Sequence, residues 1–387
     1  MTEVSSDNSG DSPSGPQRLL AGLTVIELAS SIKAAYCARL FCEWGAEVVK
    51  VELPGHEPRQ HERLWLDRGK ANVVLDWRTP AGRDLLMRLV GAACIVIHDI
   101  PASPDDWLPA FLERQKALDP ALIITSISDL GDCGPFESRP SSDLIVAALS
   151  GICMINGRKD STPLREPGNQ TALVAALAAF IGTLAARANA VHGGGGQSVH
   201  VSALEAMVNV IGPTILQCSY QADAPKRRES ADGFLFDCAD GQVSIIVSSQ
   251  RSWQTILDIW AIELNPADER FNTDGARRKH IDAVREVLRP ALSTRLRKDV
   301  FAELCSVRVP CGMLLSPAEL PMDPHLVERG SMTPARERSE DQVTWLPSPS
   351  FRIAGQNPSE SGADRLHAHG EDTAVALSLA TVEGPRL

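Results

Sequence analysis

The residues best placed for chemistry lie between Glu166 and Ala206, where the chain reads REPGNQT-ALVAALAAFIGTLAAR-ANAVHGGGGQ-SVHVSALEA. The pattern is a turn, an uncharged helix, a glycine loop, a short strand and the start of a second helix. A helix entered through Pro167-Gly168-Asn169-Gln170 points free backbone N–H groups and the positive end of its dipole at whatever sits beside Asn169. Asn is also a good N-cap, and on geometry alone capping is the preferred reading. Two carboxylates precede Asn169, Glu166 by three residues and Asp160 by nine. The helix itself, residues 171–186, is rich in Ala and Leu, which favour helix. Its length falls short of the roughly 20 residues needed to span a bilayer, so it reads as a core helix.

Those groups must be positioned by the rest of the chain. Residues 1–17 are Ser, Gly, Pro and Asp with almost nothing to bury, and read as a disordered tail. Structure starts with the apolar run 23–28, then a helical pattern over 33–44 ending at Gly45, then a strand over 46–52 stopped by Pro54-Gly55. Strand, helix, strand in about 30 residues is a βαβ unit and implies a parallel sheet. Further strand-like runs at 72–75, 94–97 and 122–125, with a helix opened by Thr79-Pro80, predict an α/β, Rossmann-like domain. Open parallel sheets bind ligands beyond their strand C-termini. The first such junction, Ala29-Ser30-Ser31-Ile32 followed by Lys33, lacks G-x-G-x-x-G and so argues against a nicotinamide dinucleotide. From residue 219 the texture changes to a polar connector, a hairpin around Asp240-Gly241, amphipathic helices near 253–262 and 280–292, and a strand over 309–315. This predicts a smaller α+β domain. Arg277, Arg278, Lys279 and His280 read as a solvated helix face.

Composition narrows the function. A chain of 387 residues suggests two domains. A net charge of −11, two Tyr and nine Phe argue against a nucleic-acid partner. Nine Cys without a C-x-x-C pair suggest neither a disulfide framework nor a metal site, and point to a reducing cytoplasm. The N-terminus has no apolar run of the kind a secretory signal carries, and no segment reads as a membrane span.

The segments LLAGLTVIELA, WGAEVVKVELPG, RGKANVVLD and TPAGRDLLMRLV follow one another in the order of the opening strands and helix of the family III CoA-transferases, the CaiB–BaiF family. ITSISDLGDCGPF resembles that family's G-x-x-GP segment, SSDLIVAALSG its D-x-x-x-QA-x-SG helix, and PMDPHLVERG its D-P-x-L-x-x-R-G segment. The glycine loop and V-x-V-S-x-x-E-A passage complete the resemblance. It implies a large domain from 18–218 and again from 331–387, a small domain over 219–330, and an interlocked dimer.

The resemblance also implies an activity, in which CoA moves between a thioester and a carboxylic acid, with coenzyme A or an acyl-CoA as substrate and no covalently bound cofactor. The family's nucleophilic aspartate falls on Asn169. An amide nitrogen is delocalised into its carbonyl and attacks a thioester poorly. The chain therefore resembles members that work beside an aspartate-bearing partner, or a homologue that binds acyl-CoA without turning it over. The family's racemases use a His–Asp pair, and Ser142 and Asn169 stand at those positions, so racemisation is disfavoured. Lys70 falls where the family places a lysine near the CoA phosphates; without the family it would read as an exposed turn lysine. Ser31 and Lys33 fall at the bend that receives the pantetheine arm, where family residues are smaller and uncharged than lysine. Asp143 matches the recurrent aspartate of the following helix, and capping explains it as well. The glycine-rich lid of the family falls at 247–253, which here reads Ser248-Ser249-Gln250-Arg251 with no glycine, and residues 193–196 form a different loop.

Overall fold

The computed structural model describes residues 18–55, 60–100, 107–137, 139–157, 161–221, 234–247, 249–336 and 343–354. The tail expected over 1–17, the connector at 222–233, Asp160 and Ser248 lie outside the described residues. The chain forms two compact units, one of Met1–Gly157, Thr162–Lys226 and Ser331–Leu387, the other of Arg158–Ser161 and Arg227–Gly330.

The larger unit runs β1 (Thr24–Leu28), α1 (Ile32–Glu43), β2 (Glu47–Glu52), α2 (Gln60–Leu66), β3 (Ala71–Val74), α3 (Pro80–Gly91), β4 (Ile95–His98), α4 (Trp107–Leu118), β5 (Ile123–Ser128), α5 (Asp143–Leu149), α6 (Ile152–Ile155), α7 (Gln170–Asn189), β6 (Ser198–Ser202), α8 (Ala203–Val210) and α9 (Gly212–Tyr220). Its six strands pair in the order β3-β2-β1-β4-β5-β6, all parallel. Parallel strands require long crossovers, and the helices that supply them cover both faces. That is why β1 to β4 are apolar on alternate residues in both directions: Val25, Val48 and Ile95 face one core, while Ile26, Val49 and Val96 face the other.

Helix α7 belongs to the first of these cores. Its small residues Ala175, Ala176 and Ala179 are buried there, and Phe180 meets Phe41 of α1 edge-on with ring centroids 4.8 Å apart. With the turn that follows, Gln170–Gly194 is long and apolar enough to cross a membrane by length and composition, which the 171–186 expected from sequence is not. Its packed alanine face marks it as a core helix. Gly196 then lets the chain pass under the preceding loop into β6. A Cβ there would lie 2.2 Å from the Leu122 carbonyl oxygen, and the Gly196 N–H donates to the Pro120 carbonyl at 2.6 Å.

The smaller unit contains β7 (Leu235–Cys238), β8 (Gly241–Ile245), α10 (Gln250–Ile259), α11 (Asp274–Lys279), α12 (Ile281–Leu292), α13 (Arg297–Ser306), β9 (Cys311–Met313) and α14 (Pro324–Glu328). Strands β7-β8-β9 form an antiparallel sheet, backed by Trp253, Ile256, Val284, Leu288, Val300 and Leu304. One expectation is corrected here. Arg277 is not on a solvated face but is fully buried. Its guanidinium donates to the carbonyls of Val247 at 2.9 Å and Phe271 at 2.6 Å and to Gln250 Oε1 at 2.9 Å, and it lies over the Trp253 ring. Arg278, one residue on, does face solvent and pairs with Asp274 at 3.0 Å. Ser249, expected in a lid, caps α10 by accepting from the Ser252 N–H at 3.0 Å, so 249–251 begin a helix.

After the smaller unit, β10 (Met332–Arg336) and β11 (Val343–Pro347) pair as an antiparallel hairpin in the larger unit. This return segment packs on the end of α1: Phe351 stacks on Trp44 at 4.5 Å, and the Pro347 carbonyl accepts from Arg39 at 3.3 Å.

Candidate functional site

The order β3-β2-β1-β4-β5-β6 reverses direction between β1 and β4, and such a switch point opens a crevice beyond the strand C-termini. Two exposed serines, Ser30 and Ser31, follow β1 there. Ser31 caps α1, its Oγ accepting from the Lys33 N–H at 3.4 Å. Opposite them, immediately after β4, stands Asp99, 6% exposed. Its Oδ1 accepts from the Ser30 N–H at 2.6 Å and the Ser30 hydroxyl at 2.9 Å. Its Oδ2 accepts from the Ser31 hydroxyl and, at 3.4 Å, from the Ala34 N–H. The free N–H groups of a helix start attract anions, and here the chain supplies its own. That fits the missing G-x-G-x-x-G. Sequence reasoning passed over Asp99; the available signal was an aspartate directly after a strand, facing a serine pair after β1.

Lys33 reaches across the same edge to Asp129, which follows β5, with Nζ 2.7 Å from Oδ1. The Asp129 carbonyl accepts from the Leu204 N–H at 2.9 Å, tying β5 to α8. Ser31 and Lys33 are thus brought together, and through Asp99 and Asp129 they join three strand ends.

Lys70 is not part of this edge. It is fully buried, its ammonium donating to Glu27 Oε2 at 2.6 Å and to the Ala35 carbonyl at 2.8 Å, with Asp67 Oδ1 at 3.9 Å. Neither a surface turn nor a phosphate ligand describes it. Lys50 completes the cluster, 2.7 Å from Glu52 and 2.8 Å from Asp67. The physical reason lies in the sheet: Glu27 pairs in register with Lys50, and Lys50 with Asn72, so polar residues on β1, β2 and β3 share one face and need internal partners. Burial pushes the Glu27 carboxyl up to about 7 against the pull of Lys70 and Lys50.

The turn before α7 is held differently. Asn169 is exposed with φ −100° and ψ 57°; its side chain makes no capping bond, while its carbonyl accepts from the Leu173 N–H at 3.0 Å. Asp143 begins α5 without capping it. Its Oδ1 accepts from the Thr171 hydroxyl at 2.5 Å, and its Oδ2 pairs with Arg165 at 3.0 Å. Asp143 therefore ties α5 to both flanks of the Asn169 turn. Glu166 is half-buried on the same turn, and Ser142 stands at the start of α5 without a side-chain capping bond. Among the described residues no cluster of His, Cys, Asp or Glu is arranged to hold a metal ion.

An open parallel α/β sheet offers a place for a small ligand beyond its strand ends, where here hydroxyls and one ion pair gather. Comparison with known proteins makes this specific. A family model described as CoA-transferase family III matches residues 20–363. The succinyl-CoA:mesaconate CoA-transferase of Haloarcula hispanica is 26% identical over 367 residues, which is 89% of this chain and 92% of that protein. The alpha subunit of succinyl-CoA–L-malate CoA-transferase from Chloroflexus aurantiacus is 26% identical over 335 residues, 81% of this chain and 78% of that subunit. Among solved structures, a CAIB/BAIF family protein from Brucella suis has the same fold, with a TM-score of 0.82 and 24% identity over 94% of this chain and 99% of that one. The chain belongs to CoA-transferase family III.

Proposed function

We propose that this chain is the acyl-CoA-binding, non-nucleophilic half of a heteromeric CoA-transferase that moves CoA between an acyl-CoA and an apolar carboxylic acid. The observation that carries this reading is Asn169, exposed and uncapped at the start of α7. An amide there can donate to a thioester carbonyl, and the first turn of α7 adds its own N–H groups. It cannot form the anhydride that a carboxylate forms. The aspartate would come from a paralogous partner chain, a design supported by the relative whose name is that of an alpha subunit. Few aromatics and many Ala, Leu and Val support an apolar acid as the partner of the thioester. A second reading, a homologue that binds acyl-CoA without turnover, is favoured by Asp143: the carboxylate tied to the turn already has both oxygens engaged by Thr171 and Arg165. All nine cysteines are free, which supports a reducing, cytoplasmic setting.

Ser31 and Lys33 beyond β1, with the Asn169 turn, form the proposed CoA site; Lys70 supports α1 from within. Titration calorimetry with CoA is expected to give saturable binding. No heat at concentrations on the order of millimolar, about −4 kcal/mol of binding free energy, would rule the site out. A dimer is proposed as well. The resemblance to a family of interlocked dimers motivates it, and Met154, Ile181, Leu216 and Tyr220, each more than half exposed on the larger unit, are apolar side chains that a partner would cover. Light scattering is expected to return twice the chain mass, whether in a homodimer or with the paralogue; a monomer at working concentration would overturn it.

A further inference from the structure

Cys305 closes the last turn of α13, and Cys311 opens β9 after the intervening Ser-Val-Arg-Val-Pro. The connection folds back tightly: the Arg308 N–H donates to the Cys305 carbonyl at 3.0 Å, the Val309 N–H to the Leu304 carbonyl at 2.9 Å, and Arg308 itself has φ 59°. This returns Cys311 to the side of the helix it has just left. Its Sγ lies 3.8 Å from the carbonyl of Phe301, which is one helical turn before Cys305. That carbonyl is the one the Cys305 N–H faces across the same helical turn, so the fold brings Cys311 to the Cys305 end of α13. Both are free, Cys305 exposed and Cys311 half-buried.

We propose that Cys305 and Cys311 form a reversible dithiol–disulfide pair that responds to hydroperoxide, an oxidation site separate from the acyl-CoA chemistry of the larger unit. The two sulfurs have unequal parts. Burial, with the neighbouring Cys305 adding to it, pushes the Cys311 thiol up to about 12, so Cys311 stays protonated and sheltered while Cys305 faces solvent. The Cys305 thiolate attacks one peroxide oxygen and displaces hydroxide, giving a sulfenic acid. The Cys311 sulfur then attacks the Cys305 sulfur, and the hydroxyl leaves with the Cys311 proton as water. Two thiols and one peroxide thus yield one disulfide and two waters. The fold-back of β9 onto α13 makes the second step intramolecular, which offsets the weak acidity of Cys311. The bond ties the end of α13 to β9 and, through the pairing of Cys311 with Ile245, to the middle of the smaller unit's sheet. The other exposed cysteines, Cys133 and Cys218, belong to the larger unit.

The test uses the reduced full chain and hydrogen peroxide, followed by alkylation and trypsin. Cleavage after Arg308 separates the two sulfurs onto peptides 299–308 and 309–329. Expected are these peptides joined by a disulfide, an intact mass lower by two hydrogens, and a fall from nine titratable thiols to seven in denaturant, which dithiothreitol reverses. Cys305→Ser should keep all its remaining thiols after the same treatment. Cys311→Ser should leave a Cys305 sulfenic acid that dimedone traps. Cys305 passing to sulfinic acid while Cys311 remains alkylatable, or a disulfide mapping to any other pair, overturns the proposal.

Discussion

Replacing Lys70 with methionine is expected to destabilise the larger unit by about 3–5 kcal/mol, the cost of leaving a buried charge without its partner. The ammonium is enclosed by Glu27, the Ala35 carbonyl and Asp67, and without it the Glu27 carboxyl is left in the core to protonate or to disrupt the strand. The double variant Glu27→Gln with Lys70→Met should recover most of the loss, because replacing both members of a buried pair is often near neutral. Denaturant unfolding measures this, and a loss below about 1 kcal/mol for the single variant would place Lys70 outside the core. The wild-type chain should also show a pH signature. Folded Glu27 keeps its proton up to about pH 7, well above the ordinary range of a glutamate carboxyl, because burial disfavours its charged form. The folded state therefore binds more protons across that window, and the Glu27 contribution to stability, present in full below it, is lost as pH rises through 7. Glu27→Gln should flatten that slope.

Asn169→Asp is expected to give the largest change in chemistry. The unmodified chain mixed with acyl-CoA should yield no covalent adduct, because the amide cannot accept the acyl group. With aspartate in place, an acyl or CoA thioester adduct at residue 169 should become trappable with hydroxylamine or borohydride. Transfer to an acceptor acid should rise by on the order of a thousandfold, well within the range that loss of a nucleophile costs other enzymes. An adduct on the unmodified chain, mapped to Glu166 or elsewhere, would show that another group performs the attack. If Asn169→Asp binds CoA yet stays inert, the reading of a binding homologue gains over that of a subunit.

The parallel sheet was legible because its strands are apolar runs separated by helical patterns, and local pattern is all that such a reading needs. The glycine loop and β6 were legible for the same reason. The interior charges were not. Nothing in WGAEVVKVE says that Lys50 meets Asp67, 17 residues later, or that Glu27 meets Lys70, 43 residues on. Asp67 and Lys70 lie in the turn between α2 and β3, and only the folded sheet brings that turn to the side chains of β1 and β2. Arg277 misled for a related reason: four basic residues in a row look solvated, yet helix periodicity turns one of them inward beneath Val247 and Phe271. Asp99 failed by its partners, since the two serines it holds lie 68 and 69 residues away. Asn169 was placed correctly at a helix start, although its side chain does not cap the helix.

The hairpin after the smaller unit sets a timetable for biogenesis. Trp44 stacks on Phe351, and Arg39 donates to the Pro347 carbonyl across 308 residues. On a ribosome the first βαβ unit emerges long before either partner exists. Domains fold as units during synthesis, so the smaller unit, whose last residue is Gly330, can be complete while the larger one still waits with the Trp44 indole bare. A stall or truncation before residue 343 would leave that ring and the end of α1 uncovered on an otherwise assembled sheet. Such a nascent chain is a natural client for a chaperone that recognises exposed apolar surface.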